Sequence, residues 1–139
     1  MLTTAFQGME KAATARFEAT GAAQALWFGE WARLVLKAYE PESKVVYVSA
    51  YAFPMEILAA FDVVPFDFEL TSGLAGALNE ATPKMEEAEG RGFSPDLCSF
   101  HRTALGAAYL HAFPAPDILV TASYYCDGKV KTNEPCSSC

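Results

Sequence analysis

Apolar residues fall on two different spacings along this chain, and the change between them organises the reading. In the first 38 residues, Ala5, Phe6, Met9, Ala12 and Ala13, and then Leu26, Trp27, Trp31, Leu34 and Val35, recur at helical intervals. The spacing predicts helix over residues 3–38, with Gly21 dividing it in two and Pro41 ending the second half. At Lys44-Val45-Val46-Tyr47-Val48 the pattern becomes a short, β-branched run, as expected of a buried strand. Pro54 suits the first turn of a helix from Met55 to Phe61, and Val63 to Phe68 is a second strand. Residues 71–92 look acidic and partly exposed, with a helix around Lys84 to Glu89. Ser94 as N-cap, Pro95 at the first helical position and Asp96 beside it predict a helix from Pro95 to about Ala112. Pro114 and Pro116 stop that helix, Asp117 to Ala122 forms a third strand, and Asp127 to Glu134 starts another helix.

Alternation of helix and strand after residue 44 predicts an α/β fold with a mostly parallel sheet and helices on its faces. We therefore divide the chain into an N-terminal helical segment, 1–40, and an α/β domain, 41–139. Because the last predicted helix has barely begun when the sequence ends, the expectation is a fragment, or a subunit that a partner completes. Repeats and low-complexity runs are absent from the sequence.

Composition narrows the function classes. The chain has 139 residues, 52% of them hydrophobic and 19% charged, enough for a real core and against disorder. A net charge of −7 argues against nucleic acid or an anionic membrane as partner, since both need clustered Lys and Arg. The most apolar helical stretch, Gly21 to Leu36, is broken by Gln24, Glu30 and Arg33, so no transmembrane segment is predicted. With no secretory signal in view, the expected compartment is the cytoplasm, where thiols stay reduced. Four cysteines there are ligands, catalysts or small buried hydrophobes rather than disulfides.

Two of those cysteines stand where an α/β crevice is expected. Cys98 falls in the first turn behind Ser94, where the helix dipole favours negative charge, with Arg102 one turn further on. Cys126 follows the third strand, and ligands of open parallel sheets bind outside the carboxyl ends of the strands. Taken alone, Cys98 is either a ligand or reactive thiol or a small buried hydrophobe, and Cys126 either a ligand or a turn residue before Gly128. Ser49-Ala50-Tyr51-Ala52-Phe53-Pro54 emerges at the same edge; Ser49, Tyr51 and Glu56 are candidates for a pocket wall, and Arg102 for a charge beside it. Cys136-Ser137-Ser138-Cys139 is a C-x-x-C, a pattern used for zinc or redox chemistry. A zinc site would need Cys98 and Cys126 as well. His101 and His111 are isolated and read as exposed or capped, while Glu80, Glu86, Glu87 and Glu89 read as a solvated face. Dinucleotide, P-loop and serine-hydrolase motifs are missing from the sequence.

Three ordered stretches resemble the 2-hydroxyacyl-CoA dehydratase and benzoyl-CoA reductase family, specifically the D-component of 2-hydroxyglutaryl-CoA dehydratase. They are Val45 to Pro65, with its strand and Pro54-Met55-Glu56-Ile57-Leu58 helix; Gly92 to Arg102, around Cys98-Ser99-Phe100; and Asp117 to Asp127, around Cys126. The likeness spans residues 40 to 134. It implies a flavodoxin-like α/β domain in one of two paired, homologous subunits. It implies a [4Fe-4S] cluster held by Cys98 and Cys126, with a further cysteine from a later domain. It also implies an ATP-dependent activator protein that injects one electron, and an acyl-CoA substrate that forms a ketyl radical and loses water. In the benzoyl-CoA reductase type, an aromatic ring is reduced instead. Here the sequence stops before a third cluster cysteine, and it has Ser49-Ala50-Tyr51-Ala52 where relatives carry one more. The remaining alternatives are a non-catalytic truncated scaffold subunit and a small zinc-binding module.

Overall fold

The computed structural model describes residues 2–49, 53–121 and 126–136. Residues up to Ser43 form one compact unit and residues from Lys44 onward a second. The first unit is a helical hairpin of α1 (Leu2–Thr20) and α2 (Ala23–Ala38). Phe6 is fully buried and meets Trp31 edge-on at 5.2 Å, and Trp27 stacks on Trp31. The hairpin buries Leu2, Phe6 and Ala13 from α1 and Ala25, Ala32, Val35 and Ala38 from α2, whereas Leu26 and Trp27, read as part of the same apolar period, stay about half exposed.

The second unit is built on a three-stranded, all-parallel sheet in the order β2-β1-β3. Its strands are β1 (Val45–Val48), β2 (Val64–Asp67) and β3 (Ile118–Val120). Val45 pairs with Val64, and Val46 with Ile118, so β1 is central and all four of its residues are buried. Successive side chains on a strand point to opposite faces. On one face Tyr47 stacks against Phe66 and packs at a tilt against Phe68, and Phe66 meets Phe113 edge-on. On the other, Val46 and Val48 pack with Leu58. Two polar ties fix the start of β3: Asp117 Oδ2 accepts from the Val45 N–H at 2.6 Å, and the Tyr47 hydroxyl donates to the Pro114 carbonyl at 2.6 Å. This is an α/β, flavodoxin-like arrangement, and its strand order places a topological switch point between β1 and β3. No described helix is long and apolar enough to cross a membrane.

Around the sheet run a 3₁₀ helix (Met55–Ala60) and α3 (Phe68–Ala77), α4 (Ala81–Gly90), α5 (Ser99–Tyr109) and α6 (Asp127–Cys136). Three elements differ from the sequence expectation, the first being the helix expected from Met55 to Phe61, which forms as a 3₁₀ helix with Pro54 as its N-cap. The region 71–92 holds two helices rather than one, because Asp67 caps α3 by accepting from the Leu70 N–H at 2.9 Å. The helix expected from Pro95 begins only at Ser99. Residues 94–97 close a turn instead, in which the Ser94 hydroxyl accepts from the Asp96 N–H and the Ser94 carbonyl from Leu97. Arg102 Nε then takes the Leu97 carbonyl at 2.8 Å. Cys98 is therefore the N-cap residue of α5, with extended backbone, not a residue inside its first turn.

Candidate functional site

Three parallel strands point their carboxyl ends at one region, and the chain places chemistry after each. Ser49 follows β1, Glu69 stands in the first turn of α3 after β2, and Cys126 precedes α6 after β3. Cys98, the exposed N-cap of α5, and half-buried Cys126 both line one open cleft of about 710 Å³. Gly92, Phe93, Leu97, Gly128 and Lys131 line the same cleft. Both thiols are free. Gly128 permits a close approach: a Cβ there would lie 2.7 Å from His101 Cδ2 and 3.4 Å from Cys126 Sγ.

Behind Cys126 lies a buried polar cluster that sequence reasoning missed. Glu69, His101 and Lys129 each keep only 5% of their side-chain surface exposed. The Ser49 hydroxyl donates to Glu69 Oε2 at 2.9 Å, and Lys129 Nζ stands 3.8 Å from the same oxygen. His101 Nδ1 is 3.8 Å from Glu69 Oε1, while its Nε2 is 3.3 Å from Cys126 Sγ. Burial holds the His101 imidazole below its usual pKa; Glu69 pulls it upward and Lys129 downward. The net direction favours the neutral ring. Isolated in sequence and read as an exposed or capped residue, His101 is instead almost wholly enclosed.

The other sequence candidates are scattered. Tyr51 and Cys139 lie outside the described residues, as does the side chain of Cys136. Glu56 is exposed in the first turn of the 3₁₀ helix. Arg102 is committed elsewhere: its guanidinium donates to the Leu97 carbonyl and pairs with Glu89, tying α5 to α4. Among the described residues, no group of three His, Cys, Asp or Glu side chains is arranged to hold a metal ion.

The family model described as 2-hydroxyglutaryl-CoA dehydratase, D-component, matches residues 50–137. The chain belongs to that family. No curated protein and no solved structure matches it. The match covers most of the sheet unit and both cleft cysteines, so the chain is a subunit of the 2-hydroxyacyl-CoA dehydratase type. Two free thiols in one cleft wall are chemically suited to an iron–sulfur group, whose usual ligands are cysteine thiolates.

The dehydratase-type subunit also buries Asp67. Desolvation, helped by the nearby Glu69 charge, raises its pKa from 3.8 to about 6, against the pull of the Leu70 and Glu69 N–H groups and of Lys129. Because the folded value lies above the unfolded one, the native state binds more protons between pH 3.8 and about 6, and stability falls as pH rises through that window. Asp67→Asn keeps the capping oxygen and removes the ionisation. Urea unfolding should find the variant more stable than wild type at pH 7.5, by up to about 3 kcal/mol, and little changed at pH 4. Equal stabilities at pH 7.5 would contradict this.

Proposed function

We propose that this chain is the iron–sulfur subunit of a 2-hydroxyacyl-CoA dehydratase-type enzyme, with Cys98 and Cys126 as thiolate ligands of a [4Fe-4S] cluster. The observation that carries the reading is that both thiols, from different elements, line one cleft at the carboxyl edge of the sheet. Bound there, the cluster would supply one electron to a CoA thioester, from which water is then eliminated. The chain's own residues hold and shield that chemistry. Cys98 is set by the α5 cap and the 94–97 turn, and Cys126 by the neighbouring His101 ring and the absence of a side chain at Gly128. Lys131 gives the cleft wall a cation for an anionic acyl-CoA. The remaining thiolate comes from outside the described residues, and a homologous partner subunit and an ATP-dependent activator complete the system.

Anaerobic reconstitution of the full chain with ferrous iron, sulfide and dithiothreitol tests this. Wild type should develop broad visible absorption that air bleaches. Cys98→Ser and Cys126→Ser should each take up about tenfold less iron while keeping their far-ultraviolet circular dichroism. Variants as deeply coloured as wild type would overturn the ligand assignment.

A further inference from the structure

Three buried polar atoms beside the cleft have no hydrogen-bond partner among the described residues: Glu69 Oε1, His101 Nδ1 and Lys129 Nζ. Their chemistry is complementary to one small molecule. A ligating sulfur carries no proton, so His101 Nε2, 3.3 Å from Cys126 Sγ, can bond to it only as the N–H donor. That leaves Nδ1 as an acceptor. It faces Glu69 Oε1, a second acceptor, 3.8 Å away, and two acceptors cannot satisfy each other. Lys129 Nζ is a donor on the same carboxylate, 3.8 Å from Oε2. Two acceptors and one donor are what a single water serves, donating twice and accepting once.

We propose that one internal water, bound by Glu69, His101 and Lys129, holds the His101 ring with its Nε2–H on the Cys126 sulfur, making His101 a positioning residue for that ligand. The close fit at Gly128 independently supports the placement of the ring against the sulfur. A Cβ at position 128 would stand 2.7 Å from His101 Cδ2 and 3.0 Å from Nε2, so glycine is what lets the ring reach the sulfur. Hydrogen bonds to a ligating sulfur stabilise the reduced cluster and raise its potential. The Nε2–H tautomer and the role at Cys126 rest on the cluster reading; the three unpartnered buried atoms that call for a water do not.

The experiment has two arms on the full chain. In metal-free protein, water-selective NMR should give a persistent cross-peak between a long-lived water and the His101 ring; its absence overturns the water site. In reconstituted protein, the cluster potential is measured for His101→Gln and His101→Asn. A Gln amide reaches the Nε2 position and an Asn amide does not. Gln should stay near wild type and Asn should shift to more negative potential. Equal shifts, or none, overturn the positioning role. Wild type that takes up no iron overturns the cluster reading and the positioning role together, while the water cross-peak still decides the site.

Discussion

Gly106→Ala should cost the fold about 3 kcal/mol and lower its melting temperature by about 10 to 20 °C, although alanine is the better helix former. Gly106 lies in the buried face of α5, and an added Cβ would fall inside the Lys84 carbonyl group and 2.9 Å from Lys84 Cα. The obstacle is main chain in the middle of α4, not the end of a flexible side chain. Lys84 is itself anchored, donating to the Glu80 carbonyl at 2.9 Å. Relief requires moving α4 as a body, which opens the Ala88–Leu105–Ala108 core. The helix-propensity gain of about 1 kcal/mol is smaller than that cost. Gly76→Ala is the control: nothing lies within 4 Å of its Cβ position, and it should be neutral or slightly stabilising. Thermal unfolding of the two variants checks the comparison; a Gly106→Ala protein as stable as wild type would contradict the packing.

Glu69→Leu should be comparably damaging, by about 3 to 5 kcal/mol, because it takes the nearest carboxylate from the buried Lys129 ammonium and leaves only Asp67, among the described residues, as an acidic neighbour. It also removes the acceptor of the buried Ser49 hydroxyl. Lys129→Met on its own should cost less, and the double variant Glu69→Leu/Lys129→Met should recover much of the loss. Urea denaturation of the four proteins gives the coupling between the two sites. A double variant as unstable as the sum of its singles would show that the two charges do not interact.

The ease of reading each element followed from how local its determinants are. The hairpin and β1 announce themselves because their burial follows the local period, helical in one case and continuous in the other. Helix α3 does not, because three of its polar residues, Glu69, Thr71 and Ser72, are buried. Thr71 and Ser72 are buried, with hydroxyls returned to the Asp67 and Phe68 carbonyls at 2.7 and 2.6 Å. The apolar stripe is thereby blurred, and the capping Asp67 is the signal that survives. The start of α5 depends on Arg102 reaching back to Leu97, a contact no propensity scale contains. At the site, Cys98 and Cys126 were legible as thiols at a sheet edge. Glu69, His101 and Lys129 were not, because each is an ordinary polar residue in sequence. They become a cluster only when α3, α5 and α6 converge behind Cys126.

The most direct measurement is a count of iron and acid-labile sulfide per chain in protein purified without oxygen. One cluster held at Cys98 and Cys126 predicts about four of each per chain, falling to near zero when either cysteine becomes serine. Iron-free protein carrying stoichiometric zinc, or no metal at all, would contradict the account.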